Sequence, residues 1–325
     1  MWNRLAIALG AGLASALLFI VTVQGTAMAV ALAYLAPLPV MIATLGWGID
    51  VGAIAMGVAS ALVAGAVAPV FGLLIALTVA LPGWALASFA NLRDLRFVRR
   101  PNNPEPPVRA SVGALVVAAA AIGIAISVGA LVWLIINYAG YEKGAAAFAE
   151  MLRPRLEDWS SGAARLPEDL TLDDVSEFVV KYFPALFSAS TTLMFIVNLY
   201  AAARSAQTSL RLNRPWPDVP TSLVVPPAVV GVALAALATW LVAPAPASQF
   251  AAVFVGAFGV VYVLQGLAVL HALSRRAQGR PVLIAALYLA CFVAPLWVFP
   301  AIAIIGLIES FAALRTRAAA RPFRP

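Results

Sequence analysis

Ten long apolar stretches constrain the fold of this chain more than any other feature. Most of them approach the length of about 20 residues that a helix needs to cross a bilayer core of roughly 30 Å. Only 11% of the 325 residues are charged, whereas a soluble domain carries about 25%. We therefore predict an all-α integral membrane protein, a transmembrane helix bundle with spans at 5–23, 27–46, 51–68, 70–92, 110–136, 184–203, 222–243, 250–272, 281–295 and 299–313.

The number of spans depends on the last two stretches, which are short. They are separated by Pro295-Leu-Trp-Val-Phe-Pro300, which fits either a tight turn or a kink within one long helix. A single kinked helix would give nine spans, and a turn would give ten.

The basic residues favour ten spans. Sixteen of the 21 lysines and arginines belong to five places between or beside the apolar stretches: Arg4, 93–109, 204–218, 275–280 and 315–324. The positive-inside rule places such segments in the cytoplasm. Both termini are then cytoplasmic, which requires an even number of spans. The same placement at span ends argues against a nucleic-acid-binding role for the net charge of +7.

The segment 137–183 has the opposite charge. It holds nine acidic and five basic residues, and the alternation of spans places it outside. Thr171-Leu-Asp-Asp174 resembles a helix-capping box with Asp in place of Glu, and apolar residues then recur at helical spacing. This external insert is either an amphipathic helix on the membrane surface or a lid over an outward-facing pocket.

Proline and arginine divide the chain. The cytoplasmic linker 93–109 separates a four-span segment, 1–92, from a six-span segment, 110–325, that contains the external insert. The first stretch imitates a cleavable signal peptide, but apolar sequence resumes at once after it, so we predict a retained helix. Nineteen of the 21 basic residues are arginines, and with the abundant alanine this suggests a GC-rich bacterial genome and a multi-pass protein of the cytoplasmic (inner) membrane.

Enzyme motifs are absent from the sequence. It has no G-x-x-x-x-G-K-[ST], H-E-x-x-H or G-x-S-x-G pattern. Cys291 and His271 are the sole cysteine and histidine, so neither an intrachain disulfide nor an ordinary zinc site is expected. We predict no enzymatic activity and no cofactor.

Small residues form two stripes. Ala8, Gly12 and Ala16 repeat every fourth residue on the first span, and Gly57, Ala61 and Gly65 do so on the third. Such stripes let helix backbones approach closely. They serve either packing within the bundle or docking against the helices of a partner.

Polar residues inside apolar stretches are costly and often functional. Glu309 either pairs with Arg315 or Arg276 or carries a proton or an ion. Asn198 is expected to bond a neighbouring helix, and Asp50 to cap the third span.

Five residues are candidates to line a substrate pocket at the outer ends of the spans. These are Trp133, Asn137, Tyr138, Thr191 and Thr192. The alternative for the two threonines is a bond to a carbonyl of their own helix.

The stretch from Leu35 to Ser60 contains Pro37, Pro39 and Gly46-Trp-Gly48. In this stretch the chain resembles the YybS-like family of predicted bacterial membrane proteins, and the resemblance extends along most of the chain. The first ninety residues are more distantly similar to the S-components of energy-coupling-factor transporters, which share a proline-containing second helix, a Gly-rich turn and a small-residue third helix. That similarity implies substrate capture and a membrane-embedded coupling protein with ATPase subunits. It also implies docking through an Ala-x-x-x-Ala pattern, which Ala8, Gly12 and Ala16 match with glycine in the middle.

Two functions remain open. The chain is either a substrate-capture or transport subunit that depends on a partner for energy, or a non-transporting membrane scaffold or assembly factor. A pocket at the outer ends of the spans would favour the first. A tightly filled bundle with an exposed small-residue face would favour the second.

Overall fold

The computed structural model describes residues 2–24, 26–91, 111–161, 171–212 and 216–320, and all secondary structure in these ranges is helical. A helix satisfies its backbone hydrogen bonds within one segment, as a bilayer core requires. The helices are α1 Trp2–Ile20, α2 Ala27–Ala33, α3 Pro37–Trp47, α4 Ile49–Ala66, α5 Pro69–Ile75, α6 Leu81–Asn91, α7 Val112–Asn137, α8 Tyr141–Ser161, α9 Leu172–Thr208, α10 Val219–Ser222, α11 Ala228–Val242, α12 Ala247–Leu273, α13 Arg280–Val293, α14 Pro295–Ala312 and α15 Leu314–Ala320.

Eight helical segments of the described chain are long and apolar enough to cross a membrane. They are Trp2–Ile20, Met28–Trp47, Ile49–Ala66, Pro69–Asn91, Val112–Asn137, Val180–Thr208, Ala247–Leu273 and Pro295–Ala312. Each corresponds to a predicted span, so the prediction of a polytopic helical membrane protein is confirmed.

The other two predicted spans, 222–243 and 281–295, are the shorter helices α11 and α13, with 15 and 14 residues. At 1.5 Å per residue they are about 22 Å long, less than the bilayer core of roughly 30 Å. Pro226 and Pro227 explain the late start of α11, because a residue before proline is driven out of the helical region. The total of ten spans therefore stays a prediction.

Proline also decides the boundary between the last two apolar helices. The chain breaks at Ala294, whose φ and ψ of −133° and 55° are not helical, and Pro295 begins α14. Pro300 lies inside α14. α13 and α14 are therefore separate helices that meet at Ala294. The choice between nine and ten spans stays a prediction.

Asp50 was expected to be the N-cap of the third span, and that prediction is wrong. The N-cap of α4 is Gly48, whose φ of 117° lies in a region that glycine tolerates. Asp50 belongs to the first turn, where its carboxylate accepts a hydrogen bond of 2.8 Å from Arg4. The same guanidinium donates to the Trp47 carbonyl at 2.7 Å.

The chain forms two compact units with boundaries inside α7, α9 and α12. Unit 1 comprises Met1–Ala119, Leu193–Val225 and Ala268–Gln278, and unit 2 comprises Ala120–Thr192, Pro226–Leu267 and Gly279–Pro325. The predicted linker 93–109 lies outside the described residues, so the division into four-span and six-span segments stays a prediction.

Unit 1 is organised around α4, which packs against α1, α3 and α5. Ala8, Gly12 and Ala16 of α1 are buried. A Cβ on Gly12 would lie 2.7 Å from the Ala55 carbonyl oxygen and 2.7 Å from the Val58 Cβ. The first small-residue stripe is therefore covered by α4 of the same chain, as in the packing interpretation, and does not face a partner.

Unit 2 also uses glycine where helices touch. A Cβ on Gly266 of α12 would collide with the Ile302 carbonyl of α14, and one on Gly306 would collide with the Tyr262 carbonyl. Gln265 reinforces this contact by donating from its amide to the Gly306 carbonyl at 2.6 Å and to the Ser310 hydroxyl at 2.9 Å. Close backbone approach and side-chain hydrogen bonds commonly stabilise contacts between membrane helices.

Candidate functional site

A cavity of about 260 Å³ lies between α7, α8 and α9 in unit 2. Its walls are apolar and largely aromatic. The described residues that line it are Ser127, Ala130, Leu131, Trp133, Leu134, Tyr141, Ala145, Phe148, Met151, Val180, Phe183, Pro184 and Phe187.

One wall of the cavity is helix α8, which belongs to the acidic insert 137–183. The chain reverses after α7 through a tight turn in which Ala139 and Gly140 have φ values of 52° and 138°. The Gly140 amide donates to the Ile135 carbonyl at 2.9 Å and closes the end of α7. This short connection holds the start of α8 beside the last turns of α7.

α8 is amphipathic, which explains why it covers the cavity. Tyr141, Ala145, Phe148 and Met151 recur at spacings of four, three and three residues and all line the cavity. The charged residues Glu142, Lys143, Glu150, Arg153 and Glu157 are exposed, and Arg153 pairs with Glu157 at 3.6 Å along the helix.

Two contacts hold α8 in place. A Cβ on Gly144 would lie 2.7 Å from Leu134 Cγ of α7, so glycine permits this close packing. Phe148 of α8 packs on Phe183 of α9 with ring centroids 4.5 Å apart, and Phe183 stacks on Phe187 at 5.6 Å. Aromatic pairs at these separations add to the stabilisation that burial provides.

The cavity contains one deeply buried hydroxyl. Ser127 is 3% exposed, and no atom of the described chain is a hydrogen-bond partner for its Oγ. One turn deeper on α7, a Cβ on Gly123 would collide with the Thr192 hydroxyl of α9. Ser188 and Thr192 are also fully buried, and their hydroxyls lack a partner among the described residues. A small group of hydroxyls therefore extends from the cavity into the contact between α7 and α9.

Tyr141 is the other polar residue of the lining. Burial raises the pKa of its phenol above the ordinary value, because a phenolate is poorly solvated there. The phenol is therefore neutral at physiological pH.

Of the five predicted pocket residues, only Trp133 lines the cavity. The Asn137 amide donates to the Trp133 carbonyl at 2.8 Å, and Thr191 donates to the Phe187 carbonyl at 2.8 Å. Tyr138 is exposed in the turn, and Thr192 lies in the α7–α9 contact. These four residues do not line this cavity, and their part in a pocket stays a prediction. Asn137 and Thr191 bond carbonyls of their own helices, as polar groups on membrane helices often do.

The residues that the sequence argument missed are chiefly Ser127, Phe148, Phe183 and Phe187. Phe183 and Phe187 are four residues apart, which is helical spacing, and Phe148 follows Tyr141 and Ala145 on the apolar face of α8. These two patterns could have pointed to the phenylalanines. Nothing in the sequence distinguishes Ser127 from the other serines of the apolar stretches.

The predicted capping box at the start of α9 is confirmed. The Thr171 amide donates to the Asp174 carboxylate at 2.9 Å, and the Asp174 amide donates to the Thr171 hydroxyl at 3.2 Å. The hydrogen bond from the Thr171 hydroxyl lowers the pKa of Asp174. The helix then runs without a break through Pro184 into the span, so this part of the insert extends a membrane helix and is not a separate one.

The intramembrane polar residues have partners within their own units. The Asn198 amide donates to the Tyr34 and Met194 carbonyls, both at 2.7 Å. Glu309 accepts a hydrogen bond of 2.8 Å from Arg315, one of the two partners expected for it. The second small-residue stripe, Gly57, Ala61 and Gly65, is exposed on α4.

Comparison with known proteins identifies the chain at the level of its family. No curated protein and no solved structure matches the sequence. The YybS-like resemblance and the more distant similarity to S-components therefore stay predictions. The model of one family, described as predicted membrane protein (DUF2232), matches residues 13–310. Because this match covers most of the chain, the protein belongs to the DUF2232 family of predicted membrane proteins.

Proposed function

We propose that this protein is a substrate-capture or transport subunit that binds a small molecule in the cavity beneath α8. The observation that carries the proposal is an apolar cavity, one wall of which is the apolar face of an amphipathic helix. Its volume of about 260 Å³ is close to the lower end of ordinary ligand pockets, about 300 Å³. Because the sequence has no P-loop, energy for transport would come from a partner protein.

The charges support an outward-facing cavity in a bacterial cytoplasmic membrane. With ten spans and both termini in the cytoplasm, the acidic insert 137–183 is external, and α8 belongs to it. The cavity then opens at the outer surface, and α8 is its lid. This arrangement combines the predicted topology with the lid interpretation of the insert.

Filling the cavity from the lid tests the proposal. Ala145 lines the cavity, whereas its neighbour Ala146 is exposed on α8. Native mass spectrometry of the gently solubilised protein should show a retained small molecule in the wild type and in Ala146→Phe. Ala145→Phe should lack it, because a phenyl ring would occupy the binding volume. A spectrum without an adduct in the wild type, or with the same adduct in all three proteins, would contradict the proposal.

The second candidate is a non-transporting scaffold or assembly factor, and the exposed stripe on α4 favours it. A Cβ on Gly57 or Gly65 would meet no described atom within 4 Å, so a foreign helix could reach the backbone there. The α1 stripe, which the S-component similarity implied for docking, is covered by α4. Any coupling protein with ATPase subunits would have to dock elsewhere.

A further inference from the structure

We infer that the cavity under α8 selects a neutral aromatic molecule with a hydroxyl or carbonyl group, which the Ser127 hydroxyl binds. This inference rests on the proposed function, because it names the class of substrate for the same cavity. Neutrality, aromatic character and the polar group each follow from a different part of the lining.

Neutrality follows from the charge of the walls. Among the described residues that line the cavity, none is Asp, Glu, Lys, Arg or His. The charged side chains of α8 that the structure describes lie on its exposed face. Burying an ion without a partner costs far more than burying a neutral group, so a charged ligand would lose its hydration and gain nothing in exchange.

Aromatic character follows from the rings that form the walls. Phe148, Phe183 and Phe187 already pack on one another across α8 and α9. Trp133 lines the cavity and is 60% exposed, so its indole can cover a ligand at the rim. Flat ligands pack on such rings in the offset and edge-on geometries that aromatic pairs prefer.

The polar group of the ligand follows from Ser127. Its hydroxyl is buried, lines the cavity and has no partner in the described chain. A buried hydroxyl without a hydrogen bond is unfavourable, and a ligand oxygen that reaches it removes this cost. The ligand would therefore enter with its oxygen towards Ser127 and its ring against the phenylalanines.

Three matched probes test the inference on the full-length protein in lipid nanodiscs. 1-Naphthol has a ring system and one hydroxyl, naphthalene has the ring system alone, and 1-naphthoate is the anion. Equilibrium dialysis against protein-free nanodiscs corrects for partition into lipid. We expect 1-naphthol to bind about tenfold more tightly than naphthalene, the value of one net hydrogen bond. We expect no binding of 1-naphthoate above the lipid background.

Ser127→Ala isolates the hydroxyl. The substitution removes one oxygen from a side chain that bonds no described atom, so the variant should remain folded and monodisperse. It should abolish the tenfold preference for 1-naphthol and leave the affinity for naphthalene unchanged. Ser209→Ala, at an exposed position, is the matched control and should keep the preference.

The outcomes separate this inference from the proposed function. Binding of 1-naphthoate as tight as that of 1-naphthol, or an undiminished preference in Ser127→Ala, would overturn the ligand class. If no probe binds but a retained molecule is lost in Ala145→Phe, the ligand class is wrong and the proposed function stands. If the wild type neither binds a probe nor retains a molecule, both are wrong.

Discussion

Glu309 is a buried acid near the end of a membrane helix, and its surroundings explain how its charge is tolerated. Its side chain is 5% exposed and that of Arg315 is 9% exposed. One carboxylate oxygen accepts from Arg315 at 2.8 Å, and the other accepts from the Leu314 amide at 2.7 Å. The left-handed Ala313, with φ of 46°, turns the chain so that both donors reach the carboxylate.

Glu309→Gln should destabilise the detergent-solubilised protein by about 1–3 kcal/mol, because it weakens hydrogen bonds to a charged group. Thermal unfolding followed by circular dichroism measures the loss. The double variant Glu309→Gln/Arg315→Met, compared with the two single variants, gives the coupling free energy between the two side chains. Glu150→Gln, at an exposed position on α8, is the control and should change little. Unchanged stability of Glu309→Gln with a lost transport activity would instead identify a proton carrier.

Asp218 gives a pH dependence outside the membrane spans. Its pKa is lowered by the hydrogen bond from the Thr221 hydroxyl and then by Arg275, which donates to both carboxylate oxygens at 2.7 Å. A lowered folded-state pKa stabilises the protein above the unfolded value of about 3.9. This contribution is lost as the pH falls through the folded-state pKa.

Asp218→Asn should therefore lower the melting temperature at pH 6 and have progressively less effect as the pH falls below about 4. The loss at pH 6 should be below about 1 kcal/mol, because exposed ion pairs contribute little. Melting curves of the wild type and the variant from pH 3 to 7 provide the measurement. A difference that is constant over this range would show that the ion pair does not stabilise unit 1.

At the scale of helices, two stripes of the same design have different surroundings. Gly12 of α1 is in contact with α4, and Gly57 of α4 is exposed. Both stripes repeat a small residue every fourth position, so helical periodicity does not distinguish them. Their surroundings depend on where the neighbouring helices of unit 1 are placed.

Gly12→Leu should overpack the α1–α4 contact and cost about 1–3 kcal/mol, because the Ala55 carbonyl cannot rotate away as a side chain could. Poor expression or aggregation in size-exclusion chromatography would report this. Gly57→Leu is the matched control and should leave the isolated protein monodisperse, because its Cβ meets no described atom within 4 Å. If Gly57→Leu also abolishes co-purification with a partner, the scaffold function gains support. Normal behaviour of Gly12→Leu would contradict the α1–α4 packing.

At the scale of the whole molecule, the short helices α11 and α13 decide the topology. If both cross the bilayer, exposed positions before α11, between α12 and α13, and after α14 are all cytoplasmic. If α11 does not cross, Ser209 and Gln278 lie on opposite sides. If α13 does not cross, Gln278 and Thr316 lie on opposite sides.

Single-cysteine labelling measures this arrangement directly. Cys291→Ser removes the sole cysteine. One new cysteine is then introduced in each variant, at one of four exposed positions: Glu150, Ser209, Gln278 and Thr316. A membrane-impermeant maleimide should label Glu150→Cys on intact cells. It should label the other three only after permeabilisation. Labelling of Ser209→Cys and Gln278→Cys from different sides would show that α11 does not span the membrane.

The sequence alone determined the helices of this protein. Apolar stretches of spanning length must be helical, because bilayer lipid offers no partner for backbone hydrogen bonds. Local chemistry also determined several helix ends, since the capping box at Thr171 and the prolines at 226, 227 and 295 act on adjacent residues. These signals need no knowledge of the tertiary structure.

Only the tertiary structure decided which helix faces are packed against other helices, which are exposed and which line the cavity. Lipid and protein interior are similarly apolar, so hydrophobic patterning does not separate a packed face from an exposed one. Gly12 and Gly57, or Ser127 and Thr191, are therefore equivalent in the sequence. Thr191 bonds a carbonyl of its own helix. Ser127 lines a cavity because the packing of α7, α8 and α9 leaves a space beside it.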